Sequence, residues 1–262
     1  RVEQRGTGTR GRGIVFGAYE LKLAPVKARQ FLDEEIAAPE LEAARVDKFA
    51  DTWLPAQPGT DGALAMAMGH VILRENFVER RVPFFVDYVQ QYTDLPFLVT
   101  LEERDDAYVP AKFLRASDFR EGGEGDEWKT VFIAGRTGEP AVPNGTLGDR
   151  WTESGVGRWN LDLGDASPQL TLLGDDAEPV EVLLPRFDAT DGAGVLRRGV
   201  PARRVGGRLV TTVFDLMLAQ YGVSRPGLPG EWPTGYDDAT QPYTPAWQES
   251  LTSVPAEAAI RV

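Results

Sequence analysis

Asp51-Thr52-Trp53-Leu54-Pro55-Ala56-Gln57-Pro58-Gly59-Thr60-Asp61-Gly62-Ala63-Leu64 runs directly into Ala65-Met66-Ala67-Met68-Gly69-His70-Val71-Ile72-Leu73-Arg74-Glu75. The stretch reads as the end of a strand, a tight turn and the start of a buried helix. Pro58 and Gly59 bend the chain sharply, one through its fixed φ and the other through its freedom at positive φ. Thr60 or Asp61 can cap the helix by accepting from its free N–H groups. Gly62 lets a ligand come close to the backbone. From Ala63 to Leu73 the residues are apolar nearly all round, apart from Gly69 and His70. That pattern predicts a helix buried on more than one side. A strand–turn–helix junction of this kind is where open α/β sheets bind nucleotide-like ligands.

Asp61 argues against a bare phosphate cradle, because a carboxylate repels a diphosphate. It suits a ligand end that donates hydrogen bonds, such as ribose hydroxyls or the paired N–H groups of guanine. The plainer reading is that Asp61 only caps the helix. The residues alone leave both open.

Composition narrows the field. The chain has 262 residues, 42% of them hydrophobic, enough for one large or two small domains with a real core. A net charge of −12 argues against generic nucleic-acid binding, which needs a basic surface. Absence of Cys excludes disulfides and thiolate metal sites. No apolar run reaches the length of a bilayer-spanning helix, and the Arg-rich start has no apolar signal core.

Along the chain, Gly6-Thr7-Gly8-Thr9-Arg10-Gly11 matches a dinucleotide fingerprint in letters only, because no strand precedes it and no helical pattern opens after it. Ile14 to Leu23 reads as a strand and Lys27 to Phe49 as mostly helix. Thr52 to Pro55 reads as a short strand, Thr60 to Glu75 as the buried helix, Phe84 to Tyr92 as a second helix, and Pro96 to Glu102 as a buried strand. Gly, Pro, Asp and Glu then punctuate short apolar runs from Tyr108 to Gly207. Asp118 to Glu127 reads as a solvated loop. Trp128 to Ala134 and Val180 to Leu184 read as strands. Arg203 to Thr211 reads as a hairpin turning on Gly206-Gly207. Phe214 to Tyr221 reads as a helix ended by Gly222. Thr244 and Pro245 open another helix, and Pro255 opens the last.

Few residues suggest chemistry of their own. His70 has no second histidine to share a metal and reads as a packed side chain. Glu102-Glu103, Asp105-Asp106, Asp175-Asp176 and Asp237-Asp238 read as solvated edges. Arg197-Arg198 and Arg203-Arg204 could meet an anionic substrate or an acidic partner surface, but read first as surface pairs answering the acidic excess. Trp151, Trp159, Trp232 and Trp247 read as packing anchors.

The opening stretch resembles the pterin-cofactor segment of molybdopterin oxidoreductases of the dimethyl-sulfoxide-reductase type, most of all the alpha subunit of respiratory nitrate reductase. The resemblance continues through Phe85 to Asp105, Glu127 to Val131, Val142 to Gly148, Val210 to Leu216, Tyr236-Asp237-Asp238 and Tyr243 to Trp247, in the family's order. It implies an α/β fold: part of a molybdopterin-cofactor domain with a largely irregular, partly β insertion. The divisions are 1–46, a divergent N-terminal segment; 47–105, the α/β core with the cofactor turn; 106–208, the insertion; and 209–262, a return to the core.

It also implies that Gly59, Thr60 and Asp61 hold a guanosine end of a bis-molybdopterin guanine dinucleotide, for reduction of nitrate to nitrite. The iron–sulfur cluster ligands and the molybdenum-ligating aspartate of the family lie upstream of the matched segment, so an internal fragment is expected, inactive alone. The implied partners are an iron–sulfur beta subunit and a membrane cytochrome gamma subunit. The implied location is the cytoplasmic face of the membrane, peripheral through those partners. The alternatives are a non-catalytic truncated remnant, or another molybdopterin oxidoreductase of the same family.

Overall fold

The computed structural model describes residues 52–82, 84–121, 123, 125–143, 166–188 and 194–262. The expectations for residues 1–51, including the glycine-rich start, the Ile14 strand and the Lys27 helix, lie outside the described residues, as do Trp151 and Trp159.

Five strands form a small closed barrel. They are β1 (Leu98–Arg104), β2 (Ala107–Phe113), β5 (Glu178–Pro185), β6 (Val195–Val205) and β7 (Arg208–Thr212), in the order β1-β2-β5-β6-β7. Its ladders are antiparallel except between β2 and β5, which meet in parallel at Tyr108 and Val182. A separate pair, β3 (Phe132–Ile133) and β4 (Pro140–Ala141), lies beside it. Leu101, Val182, Leu184, Leu196, Val200 and Leu209 share one core cluster with Tyr243 and Trp247. The β6–β7 hairpin turns on Gly206 and Gly207, at φ 57° and 78°. Two successive positive φ values are what a two-residue turn with the natural strand twist requires, so two glycines fit.

The helices pack against the barrel. α1 spans Asp61–Leu73 and continues as a π-helical turn over Arg74–Val78. α2 spans Phe84–Tyr92, α3 Val213–Tyr221, α4 Pro245–Thr252 and α5 Ala256–Arg261. Helix signals in the sequence act as expected. Thr244 accepts from Trp247 N–H, Pro245 occupies the first turn of α4, and Gly222 ends α3 at φ 79°; Thr212, not expected as a cap, accepts from Asp215 N–H. α1 is buried through Leu64, Ala67, His70, Val71 and Leu73. Leu64 packs with Leu54, Val254 and Ala259, while Leu73 packs with Val89, Phe214 and Leu218. Only Asp61, Gly62, Ala65 and Ile72 of this helix are exposed.

Three expectations need correction. Thr52 to Pro55 forms no strand: Pro55 and Pro58 lack N–H donors, and the Gln57 N–H goes instead to Thr252 O, at 3.0 Å. The strand expected over Trp128 to Ala134 shrinks to Phe132–Ile133. The Asp118 to Glu127 loop is not simply solvated. Asp126 is buried and accepts from Arg120 Nε and Nη2, each at 2.8 Å, a bidentate pair that holds its carboxyl below the usual range.

Candidate functional site

Gly59, Thr60 and Asp61 lie together on the turn that opens α1. Gly59 has φ 85°, which favours glycine, and no atom lies within 4 Å of where a Cβ would stand. The same open space surrounds Gly62. Thr60 does not cap the helix with its hydroxyl. The Oγ1–H instead donates backwards to Gln57 O at 2.7 Å, closing the turn. Asp61, the first helical residue, is exposed and has no hydrogen-bond or ion-pair partner among the described residues. The capping expectation therefore fails for both side chains. What remains is a carboxylate with free acceptor capacity beside helix N–H groups that no side chain caps.

This turn is anchored from the far end of the chain. Gln57 Nε2 donates to Ser253 Oγ at 2.6 Å, next to the Gln57 N–H bond to Thr252 O. Ser253 sits at φ 63° between α4 and α5. The loop is held in turn by Gln248, whose Nε2 donates to Val254 O at 2.8 Å while its Oε1 accepts from Thr252 Oγ1 at 2.6 Å.

The other end of α1 carries a second cluster. His70 is buried, and its Nδ1–H donates to Tyr221 O at 2.7 Å, so Nε2 is a lone-pair acceptor without a partner among the described residues. Burial lowers the imidazole pKa from 6.5 to about 4. Tyr236 packs edge-on against His70 at 5.7 Å, lies under the Arg74 guanidinium at 4.8 Å, and donates to Glu75 Oε1 at 3.3 Å. Burial and the nearby Glu75 push the Tyr236 hydroxyl up to about 12. The π-helical turn brings both Arg74 and Glu75 to Tyr236.

Arg198 is not a surface residue. It is fully buried on β6, where its Nη1 donates to Ala219 O and Gln220 O at 2.8 and 3.0 Å and its Nε to Glu231 O at 3.2 Å. It caps the negative end of α3 and lies over the Trp232 ring at 5.7 Å. Burial lowers its pKa to about 10. Arg197, one residue away, does match the surface reading, with ion pairs to Asp106 and Glu181. Arg204 pairs loosely with Glu178 at 3.9 Å. Trp247 is buried as an anchor, and Trp232 packs against the same cluster.

The adjacent carboxylates assemble no acid–base pair. Glu102, Glu103, Asp175 and Asp176 are exposed. Asp238 accepts from Thr234 N, Thr240 N and Thr240 Oγ1, bonds that hold its carboxyl at about 2 and shape a loop. No group of three metal-ligating side chains occurs among the described residues.

Comparison with known proteins decides the family. The nitrate reductase alpha subunit of Mycobacterium tuberculosis is 58% identical over 220 residues, 82% of this chain. The respiratory nitrate reductase 1 alpha chain of Escherichia coli is 42% identical over 241 residues, 84% of this chain.

The chain belongs to the nitrate reductase alpha-subunit family. It spans about a fifth of the length of these relatives, 18% of the first and 19% of the second. The wider group shows in the perchlorate reductase alpha subunit of Dechloromonas aromatica, 31% identical over 192 residues. No protein-family model matches the chain. Within this chain, two features carried only a partial signal in the sequence. Arg198 stands in phase with Leu196 and Val200 on the buried face of β6, an alternation legible in the letters. The buried Asp215–Arg225 pair left half a signal, since Thr212-x-x-Asp215 is a helix start and Arg225 carries no pattern.

Proposed function

We propose that this chain is part of the molybdenum-cofactor domain of a respiratory nitrate reductase alpha subunit. In this reading Gly59, Thr60 and Asp61 hold a guanosine end of a bis-molybdopterin guanine dinucleotide. The observation that carries the proposal is the 58% identity over 220 residues to a nitrate reductase alpha subunit.

The turn's donor set fits that group. The Asp61 carboxylate offers two acceptor oxygens to the N1–H and N2–H₂ edge of guanine, and charge-assisted bonds of this kind are worth roughly 1.5–3 kcal/mol each. Gly59 and Gly62 leave the backbone open to a planar ligand. Thr60 fixes the turn from within. The bound cofactor supplies oxygen-atom transfer with two-electron reduction, which turns nitrate into nitrite. The residues of this chain bind and orient it. Electrons reach it through iron–sulfur clusters upstream in the alpha subunit and in a beta subunit. A membrane gamma subunit oxidises quinol and holds the assembly at the membrane. No helix among the described residues is long and apolar enough to cross a membrane, in line with attachment through partners. The 262 residues alone, which lack Cys for cluster ligation, reduce no nitrate with a viologen donor.

The test is molybdenum content in a full-length alpha subunit carrying this sequence. Asp61→Ala and Asp61→Asn both lower molybdenum per protein, because Asn keeps one acceptor oxygen and turns an amide donor toward the guanine donors. Full occupancy in both variants removes the assignment.

A further inference from the structure

We infer that Gly69, His70 and Tyr221 form a positioning device that sets where α1 stands, and through it where the Gly59–Asp61 turn meets its ligand. The inference rests on the cofactor role proposed for that turn. Its own basis is three contacts around one residue, Tyr221, at the end of α3.

First, Gly69 packs directly on the Tyr221 ring. A Cβ added at Gly69 would overlap ring carbons Cε1 and Cδ1. The φ of Gly69 is not in the positive region, so the glycine is required by space and not by backbone conformation. Second, the adjacent His70 donates to the Tyr221 carbonyl at 2.7 Å. Consecutive residues of α1 thus grip the side chain and the backbone of the same residue. Third, that backbone is itself fixed. The two preceding carbonyls, of Ala219 and Gln220, are held by Arg198 from the barrel. Gly222 and Val223 N–H bond back to Ala219 O and Leu218 O, at 3.2 and 2.9 Å. Three successive carbonyls at one helix end are therefore shared between a barrel strand and α1.

α1 is a continuous hydrogen-bonded rod from Asp61 to Leu73. A shift at Gly69 is carried along its axis to Asp61, because a helix transmits axial displacement with little compression. At the far end the displacement strains the Gln57 bonds to Thr252 and Ser253. The grip at one end and the anchor at the other fix the turn in place. Sites held by rigid elements with supporting contacts of this kind bind with defined geometry.

The experiment uses the full-length alpha subunit and two readouts, molybdenum per protein and hydrogen exchange at the Gln57 amide. Gly69→Ala displaces α1, lowers cofactor affinity about tenfold, the scale of one lost hydrogen bond, and speeds Gln57 exchange. Tyr221→Ala opens a cavity, lowers the melting temperature and removes one of the two grips, yet keeps the carbonyl that His70 binds, so occupancy falls less than in Gly69→Ala. Gly69→Ala combined with Tyr221→Ala removes the overlap and brings occupancy back to the level of Tyr221→Ala alone. A purely structural role predicts the opposite order, with occupancy following melting temperature and the double variant worst. That order, or full occupancy in Gly69→Ala, overturns the inference. Asp61→Ala is measured alongside: if it keeps full occupancy the cofactor reading of the turn has failed, whereas loss in Asp61→Ala with none in Gly69→Ala defeats only the positioning role.

Discussion

Arg225 donates from Nη1 to Asp215 Oδ1 at 2.6 Å, with both side chains buried. The same nitrogen reaches Thr171 Oγ1 at 2.8 Å, and Asp215 Oδ2 accepts from Leu172 N–H at 2.9 Å. One carboxylate therefore joins three stretches of chain: the segment before β5, the first turn of α3, and the loop after it. Removing one partner of such a pair leaves a charge stranded in the interior. Arg225→Met is expected to cost about 3–5 kcal/mol in urea denaturation, and Asp215→Ala a similar amount. A loss below about 1 kcal/mol, the range of exposed ion pairs, contradicts this account of the pair.

Arg198 makes a related prediction with a different cause, since its partners are carbonyls and not a carboxylate. Arg198→Ala leaves the buried Ala219 oxygen and the half-buried Gln220 oxygen with fewer donors, and also removes the bond to the carbonyl of exposed Glu231 and the packing of a fully buried side chain. Each such loss costs about 1–3 kcal/mol, so a total above about 3 kcal/mol is expected in equilibrium unfolding. Arg198→Lys recovers only part of it, because a point charge cannot reproduce a planar fork. Equal stability of the Lys variant and wild type would remove the geometric argument.

The pH dependence of stability follows from His70. Its folded-state pKa, about 4, lies below the ordinary 6.5. The unfolded chain then binds a proton that the folded chain refuses. Stability from this residue is full above pH 6.5 and is lost progressively as pH falls toward 4. The loss is on the order of 3 kcal/mol. The depressed carboxyls of Asp126, Asp188 and Asp238 lose their contributions only at lower pH, below the ordinary aspartate value. Urea midpoints between pH 7 and 4.5 should fall for wild type and stay flatter for His70→Asn. Parallel curves refute the assignment.

Asp61→Ala is expected to leave stability nearly unchanged, within about 0.5 kcal/mol by thermal or chemical denaturation. The side chain is exposed and caps nothing. Only its charge near the helix N-terminus acts in the folded chain, a contribution of a few tenths of a kcal/mol in salt. A loss above 1 kcal/mol would show a capping role after all.

Most of the signals that were legible are local. The cap at Thr244, the stop at Gly222, the Gly206-Gly207 turn and the apolar run of α1 all act within a few residues, and all appear where the letters place them. Apart from Thr60, what could not be read depends on partners far along the chain. Thr60 looked like a cap, yet a carbonyl three residues back captures its hydroxyl. Thr52 to Pro55 looked like a strand, but no ladder partner stands beside it among the described residues. The closing of five strands into a barrel rests on one parallel meeting of Tyr108 and Val182, which no periodicity announces. The Gly59–Asp61 turn was found through resemblance and charge, while its anchor at Thr252 and Ser253 had no signal near it.

That anchor has a consequence for how the protein is made. Gln57 and Ser253 stand 196 positions apart, so the ribosome must release nearly the whole segment before the turn has anything to rest on. Contacts of such long separation form late, after the entropy of closing the intervening chain has been overcome. The Gly59–Asp61 turn leaves the ribosome among the first of the described residues and settles among the last. Any ligand that needs this turn in its finished shape meets it only after synthesis has passed Val254.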